Sequence, residues 1–383
     1  MPVPATNSFP EAEEAWSGRV LIVGAAGFIG HFVAEASLGA GRPTYVLVRS
    51  ASATKTKPAI KALQDKGAII VHGDINDKDS MERTLKELKI ENVISAVGGE
   101  AVMDQVPLVQ AIKAVGTIKR FMPSEFGHDV DRAAPVEPGM NMYVQKRQVR
   151  RMIEDLGVPY TYILCNSIAS WPYCNNTHPS EVLPPTEKFH IYGDGNVKAY
   201  FVAGSDIGKF TIRTLDDTRT LNKSVHFRPK SNYFTINELA SLWETKLGRV
   251  LPRVTVSEDH LLALASENRI PESVVASFTH DIFIKGCQIN FEIEGPDELE
   301  VADLYPEEKF ITLDRCFDEF YNRLLKANNK AGSEGGEMAA KAEDQEEVLI
   351  TASSPTEAAA TAAEIMAPPS HVMEPLPISA MCA

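Results

Sequence analysis

A glycine-rich loop, set between a short apolar run and an apolar segment able to form a helix, constrains the fold more than any other feature. The loop has the pattern G-x-x-G-x-x-G; it follows Arg19–Val23 and precedes His31–Leu38. A Cβ at either of the first two glycines would obstruct the turn or the approach of a pyrophosphate, and the third glycine lets the helix pack close to the strand. This context indicates a dinucleotide-binding turn rather than an ordinary strand-to-helix connection, because free N–H groups at a helix start bind anions. The predicted cofactor contacts are Gly24, Ala25, Ala26, Gly27, Phe28, Ile29 and Gly30.

Short apolar runs alternate with helix-length segments of mixed charge through the first half of the chain. The next runs are Thr44–Val48, Ala68–Val71 and Asn92–Ser95, with Lys57–Lys66 and Asp77–Leu88 between them. Apolar strands alternating with helices are typical of a parallel sheet covered on both faces. The alternation continues with strands at Arg120-Phe121 and Thr161–Leu164 and a helix at about Met142–Leu156. We therefore predict an α/β fold with a Rossmann-type, doubly wound parallel sheet.

The end of the second predicted strand indicates which dinucleotide is bound. An acidic residue there would accept a hydrogen bond from the ribose 2′-hydroxyl of NAD. This chain has Arg49 instead, followed by Lys55 and Lys57. The fork of N–H donors on an arginine matches a 2′-phosphate. We predict NADPH as the cofactor, bound by Arg49 and by Lys57, for which Lys55 is an alternative.

Composition divides the chain into four regions. We predict a flexible N-terminus at 1–17, an NADP-binding Rossmann domain at 18–164 and a smaller α/β, mainly substrate-binding region at 165–326, with some segments returning to the sheet. Residues 327–383 contain 2 Lys, 9 Asp and Glu, 14 Ala and no aromatic residue. A segment without large apolar groups cannot offset the entropy cost of ordering. We expect this acidic, Ala-rich tail to be disordered.

Charge and cysteine pattern exclude several classes of protein. The 38 Lys and Arg against 52 Asp and Glu give a net charge of −14, which disfavours nucleic acid and anionic membranes as partners. The charge-free stretch Leu156–Ser180 is long enough to span a bilayer, but its prolines and asparagines argue against a span. Five cysteines without a C-x-x-C spacing predict no metal site and suit a reducing compartment. We expect a cytoplasmic protein; nothing in the sequence indicates its oligomeric state.

The predicted helix at 142–156 carries the candidate catalytic lysine. Short-chain dehydrogenases commonly place a tyrosine four residues before their active-site lysine, but Met142 stands four before Lys146 and Tyr143 three before. On a helix these two positions differ by about 100°. If Lys146 is catalytic, it acts without that phenol, which argues against an alcohol dehydrogenation that depends on the tyrosine.

Several segments together resemble the plant reductases of phenylpropanoid metabolism. The stretches are Arg120–Asp129 (RFMPSEFGHD) and Met142–Arg147 (MYVQKR). These reductases are NmrA-type, atypical short-chain dehydrogenases that use NADPH. Within the group, Cys165–Tyr173, Thr279–Ile284 and the long C-terminal extension are similar to the leucoanthocyanidin reductases. One departure is Leu164, where that family usually has a second cysteine.

The resemblance implies a substrate and a catalytic pair. The substrate would be a flavan-3,4-diol, reduced at C4 to a 2,3-trans-flavan-3-ol such as catechin. The family's catalytic lysine falls on Lys146, which would deprotonate the ring-A phenol, and its acid–base histidine on His128, which would protonate the leaving 4-hydroxyl. Arg150 matches a basic position near the site, and we include it among the cofactor contacts. We expect Glu125 and Asp129 to orient the loop or to be solvated, rather than to act as general bases.

Other interpretations stay open at this stage. A lignan or phenylcoumaran benzylic ether reductase would use the same cofactor and Lys146 with a different pocket. A non-catalytic NADP-sensing regulator would have little need for a positioned lysine. Trp171 and Tyr173 are either substrate-stacking or core aromatics. The histidines without supporting context are interpreted as structural: His31, His72, His178, His190 and His260.

Overall fold

The computed structural model describes residues 18–49, 57–176 and 181–346. The six predicted strands of the first half are present, each within about two residues of the predicted bounds. They are β1 (Val20–Val23), β2 (Thr44–Val48), β3 (Ile69–His72), β4 (Asn92–Ser95), β5 (Arg120–Met122) and β6 (Thr161–Leu164). The helices between them are α1 (Phe28–Gly39), α2 (Pro58–Asp65), α3 (Lys78–Glu87), α4 (Gln105–Val115) and α5 (Gly139–Asp155). Helix α4 was not predicted from the sequence.

The main sheet is parallel, with the strand order β3-β2-β1-β4-β5. The chain builds outward from β1 to β3 and then returns to place β4 on the other side of β1. In such sheets a crevice opens at the carboxyl ends of the two strands where the order reverses, and ligands bind there. The glycine loop leaves β1 at this switch point, and the prediction of a doubly wound Rossmann-type sheet is confirmed.

Two apolar cores lie on opposite faces of the sheet, because successive strand residues point to opposite sides. Val20, Ile22 and Val46 belong to one core, together with residues of α1 and α2. Leu21 and Val23 belong to the other, together with residues of α3, α4 and α5. Both faces of β1 are fully covered, which is why this strand is an uninterrupted apolar run.

The second half of the chain returns to the sheet. Strand β6 pairs in parallel with β10 (Lys223–His226), which pairs in parallel with β13 (Glu298–Glu300). A single parallel bridge between Phe121 and Tyr160 connects this group to β5. The other elements before the last helix are β7 (Ser167–Ile168), β8 (Phe189–Tyr192), β9 (Lys198–Val202), α6 (Gly204–Leu215), β11 (Tyr233–Thr235), α7 (Ile236–Leu247), β12 (Arg253–Val256), α8 (Glu258–Ser266), α9 (Glu272–Phe283) and α10 (Val301–Leu304).

Helix α6 was also missed from the sequence, and it completes one face of the sheet by packing on α1. A Cβ on Gly208 would lie 2.3 Å from the carbonyl oxygen of Phe32, so the two backbones meet closely. Gly204 faces the rings of Phe28 and Phe32 in the same way. Phe28 is therefore a packing residue between the two helices.

The last helix, α11, runs from Leu313 to Glu346. The chain divides into two compact units, and the second begins within this helix at Glu319; everything described below belongs to the first. Residues 327–346 are helical, although we predicted the disordered tail to begin at 327; Ala, Glu, Lys and Gln in 337–346 are good helix formers. The rest of that tail, 347–383, and the predicted flexible N-terminus, 1–17, lie outside the described residues. Among the described helices, none combines the length and the apolar character needed to cross a membrane.

Candidate active site

The glycine loop has the shape of a phosphate cradle. Gly24 has a φ of +83°, and a Cβ there would lie 2.2 Å from the carbonyl oxygen of Ala96, just after β4. A Cβ on Gly30 would lie 2.3 Å from the carbonyl oxygen of Gly24. Gly27 caps α1 and donates its N–H to the carbonyl of Gly24 at 2.9 Å. Any side chain at 24 or 30 would displace backbone, so close packing of the loop against β4 and α1 requires glycine at both positions.

A cleft of about 340 Å³ opens in front of this loop. Gly24, Ala25, Ala26 and Gly27 line it, whereas Phe28, Ile29 and Gly30 lie behind them in the first turn of α1. Arg49 and Lys57, predicted to bind a 2′-phosphate, both line the cleft and are exposed to it. The alternative Lys55 lies outside the described residues.

The cleft also contains side chains that the sequence analysis did not select. Gln64, His72, Asp74 and Asp104 line it. His72 was interpreted as structural, yet it ends β3 at the carboxyl edge of the sheet, where ligands of such folds bind. Its position at a strand end was the sequence feature that pointed to this.

Lys146 is buried in α5, with 2% of its surface exposed. Its Nζ donates a hydrogen bond to the backbone carbonyl of Glu125 at 2.8 Å. One residue earlier, the Ser124 hydroxyl donates to the carbonyl of Val97 at 2.6 Å, and Val97 lines the cleft. The lysine is thus tied to the segment that borders the cleft, while Lys146 and His128 themselves are not among the residues that line it.

His128 lies beside Tyr143 on the same helix. The Nδ1 atom of His128 and the Tyr143 hydroxyl are hydrogen-bonded at 2.5 Å. The Tyr143 ring stacks on Phe278 of α9 with centroids 4.9 Å apart. Burial, and secondarily the charge of Lys146, lower the pKa of His128 to about 4. The structure therefore brings the two predicted catalytic residues close enough for the charge of one to affect the pKa of the other. It also places Tyr143 beside His128. The sequence spacing had argued only that Tyr143 cannot take the usual position four residues before the lysine.

Arg150 forms a buried ionic cluster. Its guanidinium donates to Glu125 at 2.7 Å and to Asp129 and Asp131 at 2.9 Å each. Burial opposes the charge, but the three carboxylates raise the pKa of Arg150 well above its usual value. The guanidinium also lies over the Tyr162 ring, 4.7 Å from its centroid. Arg150 therefore anchors the loop after β5, and it is not among the residues that line the cleft. Its predicted contact with the cofactor stays a prediction.

The aromatic residues of the 165–173 segment have different surroundings. Trp171 is 1% exposed and stacks on Phe189 at 4.8 Å, so it belongs to the core. The Tyr173 hydroxyl donates to the carbonyl of Leu183, and burial raises its pKa to about 12. Tyr173 lines a second cavity of about 720 Å³, together with His190 and His260. Of the other histidines interpreted as structural, His31 lies 3.5 Å from Glu35, and His178 lies outside the described residues.

Comparison with known proteins decides the family. The sequence model of the NmrA-like family matches residues 17–317. The chain belongs to the NmrA-like family. It is 61% identical over 303 residues to a leucoanthocyanidin reductase from Desmodium uncinatum, covering 79% of each chain. It is 44% identical over 304 residues to a phenylcoumaran benzylic ether reductase from Ginkgo biloba, covering 79% of this chain and 98% of that protein.

Comparison with solved structures assigns the chain to the same family. The NADPH complex of leucoanthocyanidin reductase from Vitis vinifera is 66% identical, with a TM-score of 0.76 over 79% of this chain and 99% of that one. The predicted resemblance is confirmed, and the chain is an oxidoreductase of the leucoanthocyanidin reductase type. The prediction of NADPH agrees with the cofactor in those relatives' complexes.

Proposed function

We propose that this NmrA-like protein uses NADPH to reduce flavan-3,4-diols such as leucocyanidin at C4, giving 2,3-trans-flavan-3-ols such as catechin for proanthocyanidin biosynthesis. The observation that carries the proposal is the buried Lys146, fixed next to the cofactor cleft and close to His128. The similarity to leucoanthocyanidin reductases, higher than that to the phenylcoumaran reductase reported above, supports this substrate class. The predicted cytoplasmic location stays a prediction.

The cleft residues would hold the cofactor by its charged groups. The loop from Gly24 to Gly27 offers backbone N–H groups and the α1 N-terminus to the pyrophosphate. Arg49 and Lys57 would bind the 2′-phosphate. When bound, NADPH supplies the hydride that C4 of the substrate receives.

The protein's own task is to remove the 4-hydroxyl, since hydroxide is a poor leaving group. Lys146, directly or through one water, accepts the proton of the ring-A phenol, and the released electron pair moves toward C4. His128 gives its proton to the 4-hydroxyl, which leaves as water, so a quinone methide is formed. After C4 has received hydride, the Lys146 ammonium returns its proton to the ring-A oxygen. General acid and general base each contribute about 10²–10⁴-fold in such reactions.

The environment of His128 sets a condition on this scheme. An imidazolium with a pKa of about 4 gives up its proton readily but is scarce at neutral pH. The hydrogen bond between Nδ1 and Tyr143 leaves Nε2 as the nitrogen that faces the substrate.

The experiment is NADPH oxidation with 2,3-trans-leucocyanidin, with the product identified by chiral chromatography. Lys146→Ala should lower kcat by about 10²–10⁴-fold while leaving the dissociation constant for NADPH unchanged. Lys113→Ala, an exposed lysine on α4, is the matched control and should behave as wild type.

Three results would contradict the proposal. Near-normal kcat in Lys146→Ala would remove the lysine from the mechanism. Turnover of lignans or phenylcoumarans but not of leucocyanidin would favour the second reductase interpretation. NADPH binding without turnover of any phenolic substrate would favour the sensing regulator.

A further inference from the structure

Three potential metal ligands meet beside the loop that carries His128. Asp129 follows β5, His226 ends β10, and Glu298 begins β13. One ligand atom from each lies within 4.8 Å of the others. On the paired strands, Glu298 is opposite Ser224, so His226 and Glu298 project from the same side of the sheet on neighbouring strands. The topology thus brings together residues that are more than 70 positions apart.

The imidazole of His226 is the unusual member of this cluster. The residue is 1% exposed, and its Nε2 has no hydrogen-bond partner among the described residues. A buried ring nitrogen without a partner is costly, and in native proteins it calls for an explanation such as an ion or a water.

Arg132 pairs with both carboxylates of the cluster, those of Asp129 and Glu298. Its Nη2 lies 2.7 and 2.8 Å from the Glu298 oxygens, and its Nε lies 3.3 Å from Oδ2 of Asp129. The Arg132 side chain is about a third exposed, so it can swing into solvent, and such half-exposed pairs contribute little to stability. Arg150 already holds Oδ1 of Asp129, which leaves Oδ2 for another ligand.

We propose that Asp129, His226 and Glu298 form a binding site for a divalent transition-metal ion such as Zn²⁺, which competes with Arg132 for the two carboxylates. One imidazole nitrogen and two carboxylate oxygens, completed by water, are a donor set that Zn²⁺ takes. The imidazole favours Zn²⁺ and related ions over Mg²⁺ or Ca²⁺, which prefer oxygen ligands. Arg132, Arg150 and Arg228 surround the site with positive charge and limit its affinity. Because Asp129 adjoins His128, a bound ion would restrain the loop that carries the candidate acid.

The test is a titration of the full-length protein with Co²⁺, which reports a low-symmetry site by its visible absorption, followed by displacement with Zn²⁺. Glu298→Gln and His226→Gln should each weaken binding by about tenfold or more, since even a residue that only supports a ligand changes metal affinity by about that much. Arg132→Ala should strengthen binding by about twofold or more, because the competing guanidinium is gone. His260→Ala, an exposed histidine outside the cluster, should bind as wild type.

Two results would overturn the proposal. Absence of Co²⁺ absorption in both wild type and Arg132→Ala would show that the cluster holds no such ion and that His226 is satisfied by water. A Co²⁺ affinity that is unchanged in Glu298→Gln, or absorption that is lost in His260→Ala, would place the ion elsewhere. A rise of the thermal midpoint on Zn²⁺ addition in wild type, absent in Glu298→Gln, would support the site independently of any loss of folding in His226→Gln.

Discussion

Replacing Arg150 with methionine would test what holds the active-site loop in place. Arg150 is the shared cation of Glu125, Asp129 and Asp131, and its side chain and those of Glu125 and Asp129 are each at most 5% exposed. Methionine keeps much of the side-chain volume and removes the charge. The buried Glu125 would then lose its cation, and Asp129 would keep only Arg132. A buried charge without a partner is far more costly than a lost surface pair.

The expected loss is about 3–5 kcal/mol in the free energy of unfolding, the range for breaking one side of a buried ion pair. For a folded part of about 300 residues, with an unfolding entropy of about 2.1 cal/mol/K per residue, that lowers the thermal midpoint by roughly 5–8 °C. The neighbouring Arg151 is the matched control, because it also pairs with Asp131 and with Glu154 but is 54% exposed. Arg151→Met should cost less than about 1 kcal/mol. Differential scanning calorimetry and urea titration of the wild type and both variants measure the difference.

A double variant separates the ionic explanation from simple repacking. Adding Glu125→Gln to Arg150→Met removes one of the stranded charges, so it should recover part of the lost stability. The reasoning is refuted if Arg150→Met costs no more than Arg151→Met. It is also refuted if Glu125→Gln costs as much in the Arg150→Met background as it does in the wild type.

Three further predictions concern the cofactor loop and the candidate acid. Arg49→Ser should weaken NADPH binding by at least about tenfold, since a hydrogen bond to a charged group contributes about 1.5–3 kcal/mol, and should leave NADH binding nearly unchanged. Titration calorimetry with each cofactor measures both affinities, with Lys61→Ser as the control. Equal losses for the two cofactors would contradict the assignment of Arg49 to the 2′-phosphate. Gly30→Ala places a Cβ 2.3 Å from a backbone carbonyl oxygen and should lower both the thermal midpoint and the affinity for NADPH. Gly39→Ala, whose Cβ meets nothing within 4 Å, should lower neither. Equal thermal midpoints for the two variants would contradict this prediction. The folded-state pKa of His128 is about 4, below its ordinary 6.5, so the folded protein binds fewer protons there than the unfolded chain and loses stability as the pH falls from 6.5 toward 4. His128→Asn should remove up to about 3 kcal/mol of that loss. If the variant and the wild type show the same slope of unfolding free energy against pH, this prediction is refuted.

The Rossmann half of the fold could be predicted from local sequence because each of its constraints is local. The strands β1, β2 and β4 are buried on both faces, so each has an apolar centre that can be recognised in the sequence, and β1 is apolar throughout. Gly24 and Gly30 are required by contacts within one strand-loop-helix unit and its neighbouring strand. Helices α4 and α6 were not predicted, and α6 owes its place to close packing on α1, which is far away in sequence.

Spacing and resemblance also selected Lys146 and His128, but the sequence could not say what surrounds them. The bond of Tyr143 to His128, the pairing of Arg150 with Glu125 and the place of His72 in the cleft all depend on helices and strands that meet in the folded chain. The direction in which a side chain points is set by its helix or strand, but its partner is set by whichever distant segment packs there. The sequence therefore determined the sheet, the glycine cradle and the residue types available for catalysis. Only the tertiary structure decided which of those residues form ion pairs, form hydrogen bonds or line the same cleft, because buried polar groups take the partners that folding brings to them.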